Sequence, residues 1–371
     1  MKTEQIALAP LSPGADLSLT VQRFGRQGAR PRVYVQASLH ADEITGMIAA
    51  HHLRERLTAL EAEGRIRGEI VLVPSANPIG LAQRVMGSHV GRFHLADGVN
   101  FNRGYPHLVP KVAERIEGKL TQDGEANVRL IREALRAELD AWKPSNAAEV
   151  MKKTLLGLAQ EADVVLDLHC DSEAVVHLYT HTRSAEEFAP LSALLGAHAY
   201  LVADVSGDEP FDEACSRPWA ELAERFPDHP IPFACHATTL EFRGERDVDH
   251  ETAKADAYAM IAYMTLRGVI EGEAPALPEP LCRATPLAAS EPVQAPAYGM
   301  LVFRTDVGTR VKAGEVIAEV IDPLTGAVTS AEAPTDGVLF ARIDLRFVTQ
   351  GMRIAKVAGA TAKRTGKLLG A

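Results

Sequence analysis

Two kinds of apolar pattern alternate along the first part of the chain. Residues 32–37 and 69–74 are short runs dense in β-branched side chains, which predict buried strands. The alanine-rich residues 47–60 between them predict a helix. A strand, a helix and a second strand in this order form the βαβ unit of a parallel sheet. The pattern therefore predicts an α/β fold.

The same kinds of segment continue to about residue 270. Strands are predicted at residues 162–171, 175–180 and 237–242. Helices are predicted at residues 110–160, with a break at residues 143–145, and at residues 248–268. The remaining segments predict less regular structure. Residues 1–31 predict an irregular or short-stranded start, residues 87–106 predict a long loop, and residues 207–218 predict a polar loop. Long loops in compact domains are usually functional or disordered, and the aromatic residues of the longest one argue against disorder.

The composition changes after residue 270. Prolines punctuate residues 271–297, which indicates a linker or a succession of short edge strands. Residues 298–359 are short β-like runs separated by glycine turns, which predicts a small all-β domain. We therefore predict two domains, a catalytic α/β domain over residues 1–272 and a β domain over residues 273–371.

Charge and composition exclude several classes of protein. The net charge is −10 and the pI about 5.7, so there is no overall electrostatic attraction to nucleic acid. The four cysteines have neither metal-type spacing nor disulfide-rich density. The N-terminus lacks a long apolar region, and no later run approaches a membrane span. The sequence thus predicts a cytoplasmic protein that binds neither nucleic acid nor membrane.

The first candidate for chemistry lies where the strand at residues 32–37 gives way to the helix. His40 and Glu43 are three residues apart there, and this spacing lets an imidazole and a carboxylate converge on one ion from a short turn. Such a pair could supply two of the three protein ligands of a catalytic zinc. The alternative is a solvated pair at a helix start, where an acidic residue favours the helix dipole.

Two more candidates stand at later strand ends. His169 ends one predicted strand and Glu241 another, and in open α/β sheets sites lie outside the carboxyl ends of the strands. Two histidines and one glutamate form a known catalytic zinc set. Taken singly, His169 could equally be a core histidine and Glu241 a surface or ion-paired residue. Their joint placement favours a site.

In chain order, four short elements resemble the succinylglutamate desuccinylase/aspartoacylase family of deacylases. These are His40-x-x-Glu43, Asn102-Arg103, Asp167-Leu168-His169 and Leu240-Glu241. The resemblance covers roughly residues 30–270, and the C-terminal β region also resembles the one appended in this family. It implies a zinc carboxypeptidase-like mixed sheet flanked by helices, plus a small C-terminal all-β domain of barrel-sandwich type.

The resemblance also implies roles at the reaction centre. His40, Glu43 and His169 would hold zinc, one ion per chain, and Glu241 would be the general base. Zinc activates water at neutral pH, and a carboxylate is needed to take the proton of that water. Asp167 is a candidate to orient a metal-binding histidine, or simply a residue that caps a turn.

Further roles are implied for substrate binding. Asn102 and Arg103 would grip a substrate carboxylate, for which the guanidinium fork is suited. Arg92 would polarise the scissile carbonyl, although the interval from Arg92 to Asn102 is longer than is usual in aspartoacylases, and Arg84 is a rival for this role.

These expectations combine into one predicted function and two rivals. The predicted function is a zinc-dependent amidohydrolase that removes the acyl group from a small N-acyl amino acid or a related carboxylate-bearing amide. The first rival is a metallocarboxypeptidase that acts on peptides. The second is a non-catalytic metal-binding protein, which would have no need of a general base. The sequence leaves the oligomeric state open, and a homo-oligomer is compatible with it.

Overall fold

A computed structural model of the chain describes residues 1–369 and has the predicted mixed α/β architecture. In that range the helices are α1 (Thr45–Ala62), α2 (Pro78–Leu81), α3 (Val109–Ile116), α4 (Gly124–Ala141), α5 (Ala147–Ala159), α6 (Ala185–Leu194), α7 (Phe211–Arg225) and α8 (His250–Leu266). The strands of the first part are β1 (Lys2–Ala7), β2 (Ser18–Gly25), β3 (Arg32–Ala37), β4 (Glu69–Val73), β5 (Arg84–Val85), β6 (Ser88–His89), β7 (Val164–Asp171), β8 (Glu173–Ala174), β9 (His177–Thr180), β10 (Ala199–Val202), β11 (His236–Gly244) and β12 (Ala284–Pro286). The strands of the C-terminal part are β13 (Ser290–Gln294), β14 (Gly299–Phe303), β15 (Arg310–Val311), β16 (Val316–Ile321), β17 (Val328–Glu332), β18 (Gly337–Arg342), β19 (Phe347–Val348) and β20 (Arg353–Ala358).

One large mixed sheet organises the first part. Among residues 1–369, nine strands form it in the order β1-β2-β4-β3-β7-β11-β9-β10-β12. The strands β4, β3, β7 and β11 are parallel to their neighbours in this series. All of β4 and all of β7 except Asp171 are buried, because helices cover both faces of the sheet. The parallel centre brings the carboxyl ends of β3, β7 and β11 to one edge.

Two apolar cores cover the two faces of this sheet. On one face pack α3, α4, α5 and α7, and Trp219 of α7 is among the largest fully buried side chains. On the other face pack α1, α6 and α8, with Phe188 of α6 fully buried. Burying a side chain such as Phe188 contributes about 1.5–3 kcal/mol. The large sheet is therefore a rigid support for whatever projects from its edge.

The C-terminal part is β structure, as predicted, and it docks onto the large sheet. Two sheets, β13-β20-β18-β15 and β17-β16-β14-β19, enclose a separate apolar core. β8 of the first part pairs with β18, where Ala174 lies opposite Ala341. The backbone N–H of Val175 also donates to Phe340 at 3.0 Å. The division at residues 272 and 273 remains a prediction, because strand pairing crosses between the two parts.

The prediction of a polar loop over residues 207–218 is wrong from Phe211 onwards. Helix α7 begins at Phe211 and continues through Pro218 to Arg225. A proline inside a helix removes one backbone hydrogen bond and usually ends the helix. Here Phe211, Trp219 and the apolar side chains between them are buried at helical spacing, and this burial outweighs the lost bond.

Two other segments are more ordered, or more divided, than predicted. The start of the chain contains the strands β1 and β2, six and eight residues long, which pair antiparallel at the edge of the sheet. The predicted helical region is broken at residues 117–123 as well as at residues 142–146. Within residues 1–369, no helix combines the length and the apolar character needed to cross a bilayer.

Candidate active site

Three strands of the parallel centre end side by side, and they carry the candidate residues. The register places Glu241 of β11 opposite His169 of β7. β3 ends at Ala37, and the chain then turns at Ser38, whose φ of 64° is uncommon for a residue other than glycine. This turn leads directly to His40. Strained backbone of this kind is concentrated at functional sites.

Close contact between α1 and β7 fixes the position of Glu43. A Cβ atom added to Gly46 would lie 2.9 Å from the Cβ and the carbonyl oxygen of Leu168. Only glycine allows the helix to approach the strand so closely. The turn that contains Glu43 is therefore held against the end of β7, beside His169.

The carboxylate of Glu43 lies between two imidazoles. Its Oε1 is 2.7 Å from Nδ1 of His40, and its Oε2 is 2.7 Å from Nδ1 of His169. One ligand atom from each residue lies within 4.8 Å of the other two, and all three side chains are buried. The structure thus brings the three predicted zinc ligands into a group compact enough to hold a metal ion. Their role as ligands remains a prediction.

Each imidazole has a polar group close to its Nε2 atom. Nε2 of His40 is 2.8 Å from Oδ1 of Asn100, and the backbone N–H of Asn102 donates to the same oxygen. Nε2 of His40 therefore carries the proton of the neutral ring, which leaves the Nδ1 lone pair available. Nε2 of His169 is 3.0 Å from Oδ2 of Asp167, an ion-pair distance that lacks the geometry of a hydrogen bond. Both Nδ1 atoms face the shared carboxylate, and such a convergence of acceptors fits a metal cation.

The three groups perturb one another strongly. Burial alone would raise the pKa of Glu43, but the imidazoles of His40 and His169 outweigh burial and hold that pKa well below its usual range. Burial opposes a charge on His169, yet Asp167 and Glu43 raise its pKa well above the usual range. Burial and the nearby Arg92 lower the pKa of His40. A carboxylate that stays ionised while fully buried is what a metal ligand requires.

Of the two rival arginines, the structure brings Arg92 and not Arg84 to this cluster. The guanidinium of Arg92 donates to Oε1 of Glu43 at 2.8 Å and to Nδ1 of His40 at 3.1 Å. Its backbone N–H donates to Oδ2 of Asp42 at 3.1 Å, which anchors the loop. Arg84 is exposed on β5 and donates to nearby backbone carbonyls. The geometry therefore favours Arg92 as the arginine of the site.

Glu241 faces the same space as the cluster. Its Oε2 atom is buried and has no hydrogen-bond partner among the described residues. Burial, strengthened by repulsion from Glu43, raises the pKa of Glu241 to about 8. A carboxyl group with a pKa near neutrality can both accept and release a proton, as a general base must.

Asn102 and Arg103 lie on the adjacent loop, and Asn102 also ties that loop to α7. Oδ1 of Asn102 accepts the backbone N–H of Phe211 at 2.9 Å. The guanidinium of Arg103 donates to the carbonyl of Asn102 at 2.7 Å, and its side chain lines the same cavity as the cluster. Burial and the proximity of Arg92 lower the pKa of Arg103. Its role in binding a carboxylate stays a prediction.

The site lies in a cavity of about 370 Å³ that the C-terminal part helps to line. Arg353, Lys356 and Arg364 border it, and Lys356 of β20 forms an ion pair with Asp171 at the end of β7. None of the three was among the predicted site residues. In the sequence they stand out only as positively charged residues in a β region. Their contact with the site depends on how β18 docks against β8, which the sequence does not reveal.

Other residues that contact the site were also missed by sequence reasoning. Asn100, which orients His40, and Asp212 and Glu213, which border the cavity, belong to this group. Asn100 lies in the loop at residues 87–106, so the sequence indicates its segment but not the residue itself. Asp212 and Glu213 lie in the segment predicted as a loop, and only the helix at Phe211 turns them towards the cavity.

A second group of metal-ligand types lies on the surface of α1, away from the cavity. His51, His52 and Glu55 have ligand atoms within 4.8 Å of one another. Nε2 of His52 is also 3.0 Å from Nδ1 of His250 at the start of α8. Any measurement of metal content must therefore separate this group from the cluster in the cavity.

Known proteins resemble both the catalytic region and the whole chain. Residues 29–203 match the Succinylglutamate desuccinylase/Aspartoacylase catalytic domain. A crystal structure of a succinylglutamate desuccinylase/aspartoacylase family protein from Shewanella amazonensis is 28% identical, with a TM-score of 0.86 over 96% of this chain and 98% of that one. A second such structure, from Shewanella frigidimarina, is 26% identical, with a TM-score of 0.84 over 96% and 97%.

A characterised relative extends the similarity to an enzyme. The N-alpha-acetyl-L-2,4-diaminobutyric acid deacetylase of Halomonas elongata is 25% identical over 344 residues, which are 90% of this chain and 83% of that protein. The matched domain and the two structures thus agree, and this chain resembles the succinylglutamate desuccinylase/aspartoacylase family over almost its whole length.

Proposed function

We propose that the chain is a zinc-dependent amidohydrolase that removes the acyl group from a small N-acyl amino acid. One observation carries the proposal: three metal-ligand atoms converge beside a buried carboxyl oxygen that has no partner among the described residues. A protein that only binds metal has no need for the second feature. A deacylase needs both, because its base must act on water next to the metal.

The donor set suits zinc, with two imidazole nitrogens and one carboxylate. When bound, zinc supplies Lewis acidity and activates a water molecule at neutral pH. The histidines would act as neutral ligands through Nδ1, since Asn100 and Asp167 are placed at their Nε2 atoms. The hydrogen bond between His40 and Asn100 fixes the orientation of that ring before the ion arrives, which reduces the reorganisation that binding requires.

Glu241 would take a proton from the attacking water and later deliver it to the leaving amine. A raised pKa makes Glu241 a stronger base than an ordinary carboxylate, which favours its taking the proton from water. Arg92, which is adjacent to the cluster, would donate to the oxygen of the scissile carbonyl as negative charge develops on it.

Arg103 and Asn102 would hold the carboxylate of the amino acid. Arginine can offer two parallel N–H donors to a carboxylate, a geometry that lysine lacks. The loop that carries Arg103 is hydrogen-bonded to α7 through Asn102, so the carboxylate-binding residues are held in place. Fixing the far end of the substrate places the amide bond relative to Glu241, and misplacement by about 1 Å can cost roughly 100-fold in rate.

Small substrates fit the cavity better than peptides do. Its volume is about 370 Å³, and the C-terminal sheets border it, which favours a compact ligand over an extended chain. The relative from Halomonas elongata is named as a deacetylase of an N-acetylated amino acid. We carry this over only as a class, an N-acyl amino acid. The predicted cytoplasmic location, the domain boundary and the possibility of a homo-oligomer stay predictions.

Metal analysis combined with a substrate panel tests the proposal. Purified protein should contain zinc that is lost in His169→Ala, and it should hydrolyse some N-acyl amino acids faster than dipeptides of similar size. The variant His51→Ala is the matched control, because it removes a ligand type from the group on α1 and leaves the cavity intact. Turnover of dipeptides alone would identify a carboxypeptidase. Full activity of His169→Ala without metal would remove zinc from the mechanism.

A further inference from the structure

The first turn of α7 presents two carboxylates to the cavity. Asp212 and Glu213 both border it, and they are only 8% and 5% exposed. The helix begins at Phe211, whose backbone N–H is held by Asn102, so this turn adjoins the loop that carries Arg103. The two carboxylates therefore share a wall with the residues to which we assign the substrate carboxylate.

Glu213 is incompletely partnered. Its Oε1 accepts the backbone N–H of Ser206 at 2.6 Å, while its Oε2 is buried and has no hydrogen-bond partner among the described residues. The ion pairs found within residues 1–369 include neither Glu213 nor Asp212. A buried charged oxygen without a partner is unfavourable, so such an atom in a cavity wall indicates a missing ligand.

The acidic residues just before the helix make an instructive contrast. Asp208 forms an ion pair with Lys367, and Glu209 forms one with Arg217 at 2.8 Å. Neither borders the cavity. Of four acidic residues within six positions, the two outside the cavity have cations as partners, and the two that border it have none among residues 1–369.

The charge balance in this wall points the same way. Burial and repulsion from Glu213 raise the pKa of Asp212 to about 7, and Arg103 offsets this only in part. Burial also raises the pKa of Glu213, with the Ser206 hydrogen bond acting against it. The helix dipole favours acidic residues in a first turn, but that effect is worth a few tenths of a kcal/mol to about 1 and does not require them to be buried.

We propose that Asp212 and Glu213 form a subsite for a cationic group of the substrate, so that the preferred substrate is an N-acyl amino acid whose side chain ends in an amine. This rests on the proposed deacylase function. With its carboxylate at Arg103, such a substrate would direct its ammonium group to the first turn of α7. The ammonium would supply N–H donors to the unpartnered Oε2 of Glu213 and a positive charge to both carboxylates.

The test uses matched substrates that differ only in this charge. Nα-acetyl derivatives of 2,4-diaminobutyrate, ornithine and lysine are each compared with the acetylated neutral amino acid of equal chain length, and with acetylglutamate. For the best diamino acid we expect kcat/KM to exceed that of its neutral partner roughly 10- to 100-fold, the range for hydrogen bonds to charged groups. Equal values, or a preference for the anion, would overturn the subsite and leave the deacylase intact.

Variants then assign the preference to these residues. Glu213→Gln and Asp212→Asn keep the side-chain shape, and each should bring the ratio of the two kcat/KM values towards one. Glu209→Gln is the matched control, because Glu209 is three or four residues away and pairs with Arg217 outside the cavity. An unchanged ratio in both folded variants would show that another group recognises the amine.

A binding measurement keeps the subsite testable if no substrate is turned over. Calorimetric titration of the metal-loaded protein with the free amino acids ornithine and norleucine compares a cationic and a neutral side chain of the same length. We expect Kd to be at least about 10-fold lower for ornithine and this difference to shrink in Glu213→Gln. Tight ornithine binding without any turnover would refute the deacylase function but support the subsite, whereas equal affinities would refute the subsite.

Discussion

Two groups of buried carboxylates border the same cavity, and they respond to burial in opposite ways. Glu43 stays ionised, with a pKa well below its usual range, because His40 and His169 outweigh the effect of burial. In the first turn of α7 burial raises the pKa values of both carboxyl groups, and no ion pair with a cation offsets it among the described residues. The degree of burial is similar, so the partners account for the difference.

This difference separates two kinds of site. At the sheet edge the protein surrounds the carboxylate of Glu43 with nitrogen groups of its own, from His40, His169 and Arg92. At the start of α7 it leaves negative charge uncompensated, which suits a ligand that brings the compensation. A buried acid is therefore informative only together with its neighbours.

The largest effect should come from removing one of the imidazoles around Glu43. In His169→Ala we expect loss of the cavity metal and activity at background, because a zinc site with two protein ligands is incomplete. The fold should persist, since the large sheet has its own apolar cores. Elemental analysis, activity and circular dichroism check the three statements. A full equivalent of zinc in the cavity of the variant would contradict the assignment.

The next largest effect concerns Glu241, whose pKa burial and the nearby Glu43 raise to about 8. Glu241→Gln should keep the metal and the affinity for substrate while kcat falls roughly 100- to 10,000-fold, the usual contribution of a general base. The amide has nearly the same shape but cannot accept the proton. Metal content and steady-state kinetics on one substrate suffice. A variant with near-normal kcat would exclude Glu241 as the base.

A smaller effect should follow from Arg103→Ala, which removes positive charge from the wall that α7 shares. For substrates with a free carboxylate we expect kcat/KM to fall roughly 10- to 100-fold, with KM and kcat both affected. Amidated analogues should lose much less, because they never form that pair. Arg84→Ala is the control arginine, since Arg84 is exposed on β5. Equal losses on acid and amide would show that Arg103 does not anchor the carboxylate.

The sequence predicted the sheet edge well because the relevant information is local. A β-branched run marks each central strand, and the polar residue that follows marks its end, so His40, His169 and Glu241 could be placed on one edge from pattern alone. The parallel pairing of β3, β7 and β11 then makes their convergence a consequence of topology.

The remaining walls could not be predicted, for reasons that are also physical. Lys356 reaches Asp171 only because β18 docks onto β8, a pairing between residues that are about 170 positions apart. Asp212 borders the cavity because α7 begins at Phe211, in a segment whose polar composition predicts a loop and where tertiary packing prevails. Contacts between distant segments and packing that overrides propensity leave little trace in a single sequence.

Two buried histidines also respond to burial in opposite ways, according to their neighbours. The last and smallest predicted effect tests this difference. His169 and His177 lie on strands that flank β11, and both side chains are almost fully buried. The pKa of His169 is raised because Asp167 and Glu43 adjoin it. Burial lowers the pKa of His177 to about 4, and the charge of Asp171 only partly offsets this. His177 donates through Nδ1 to a backbone carbonyl at 2.8 Å, and its Nε2 has no hydrogen-bond partner among the described residues.

A histidine with a lowered pKa makes stability depend on pH in a defined direction. Between about pH 6.5 and pH 4 the unfolded chain binds a proton at His177 that the folded chain does not, so the free energy of unfolding falls as the pH falls. From pH 7.5 to pH 5.0 this single group should account for a loss of about 2 kcal/mol, because one pKa unit corresponds to about 1.4 kcal/mol.

In His177→Gln the amide can still donate to the backbone carbonyl but does not titrate, so this part of the pH dependence should vanish. Urea unfolding of both proteins at the two pH values gives the difference, in which the contributions of titrating groups that do not interact with His177 cancel. Equal losses of the free energy of unfolding in the two proteins would contradict the prediction. They would mean that His177 is protonated in the folded protein as readily as in the unfolded chain, so that burial does not lower its pKa.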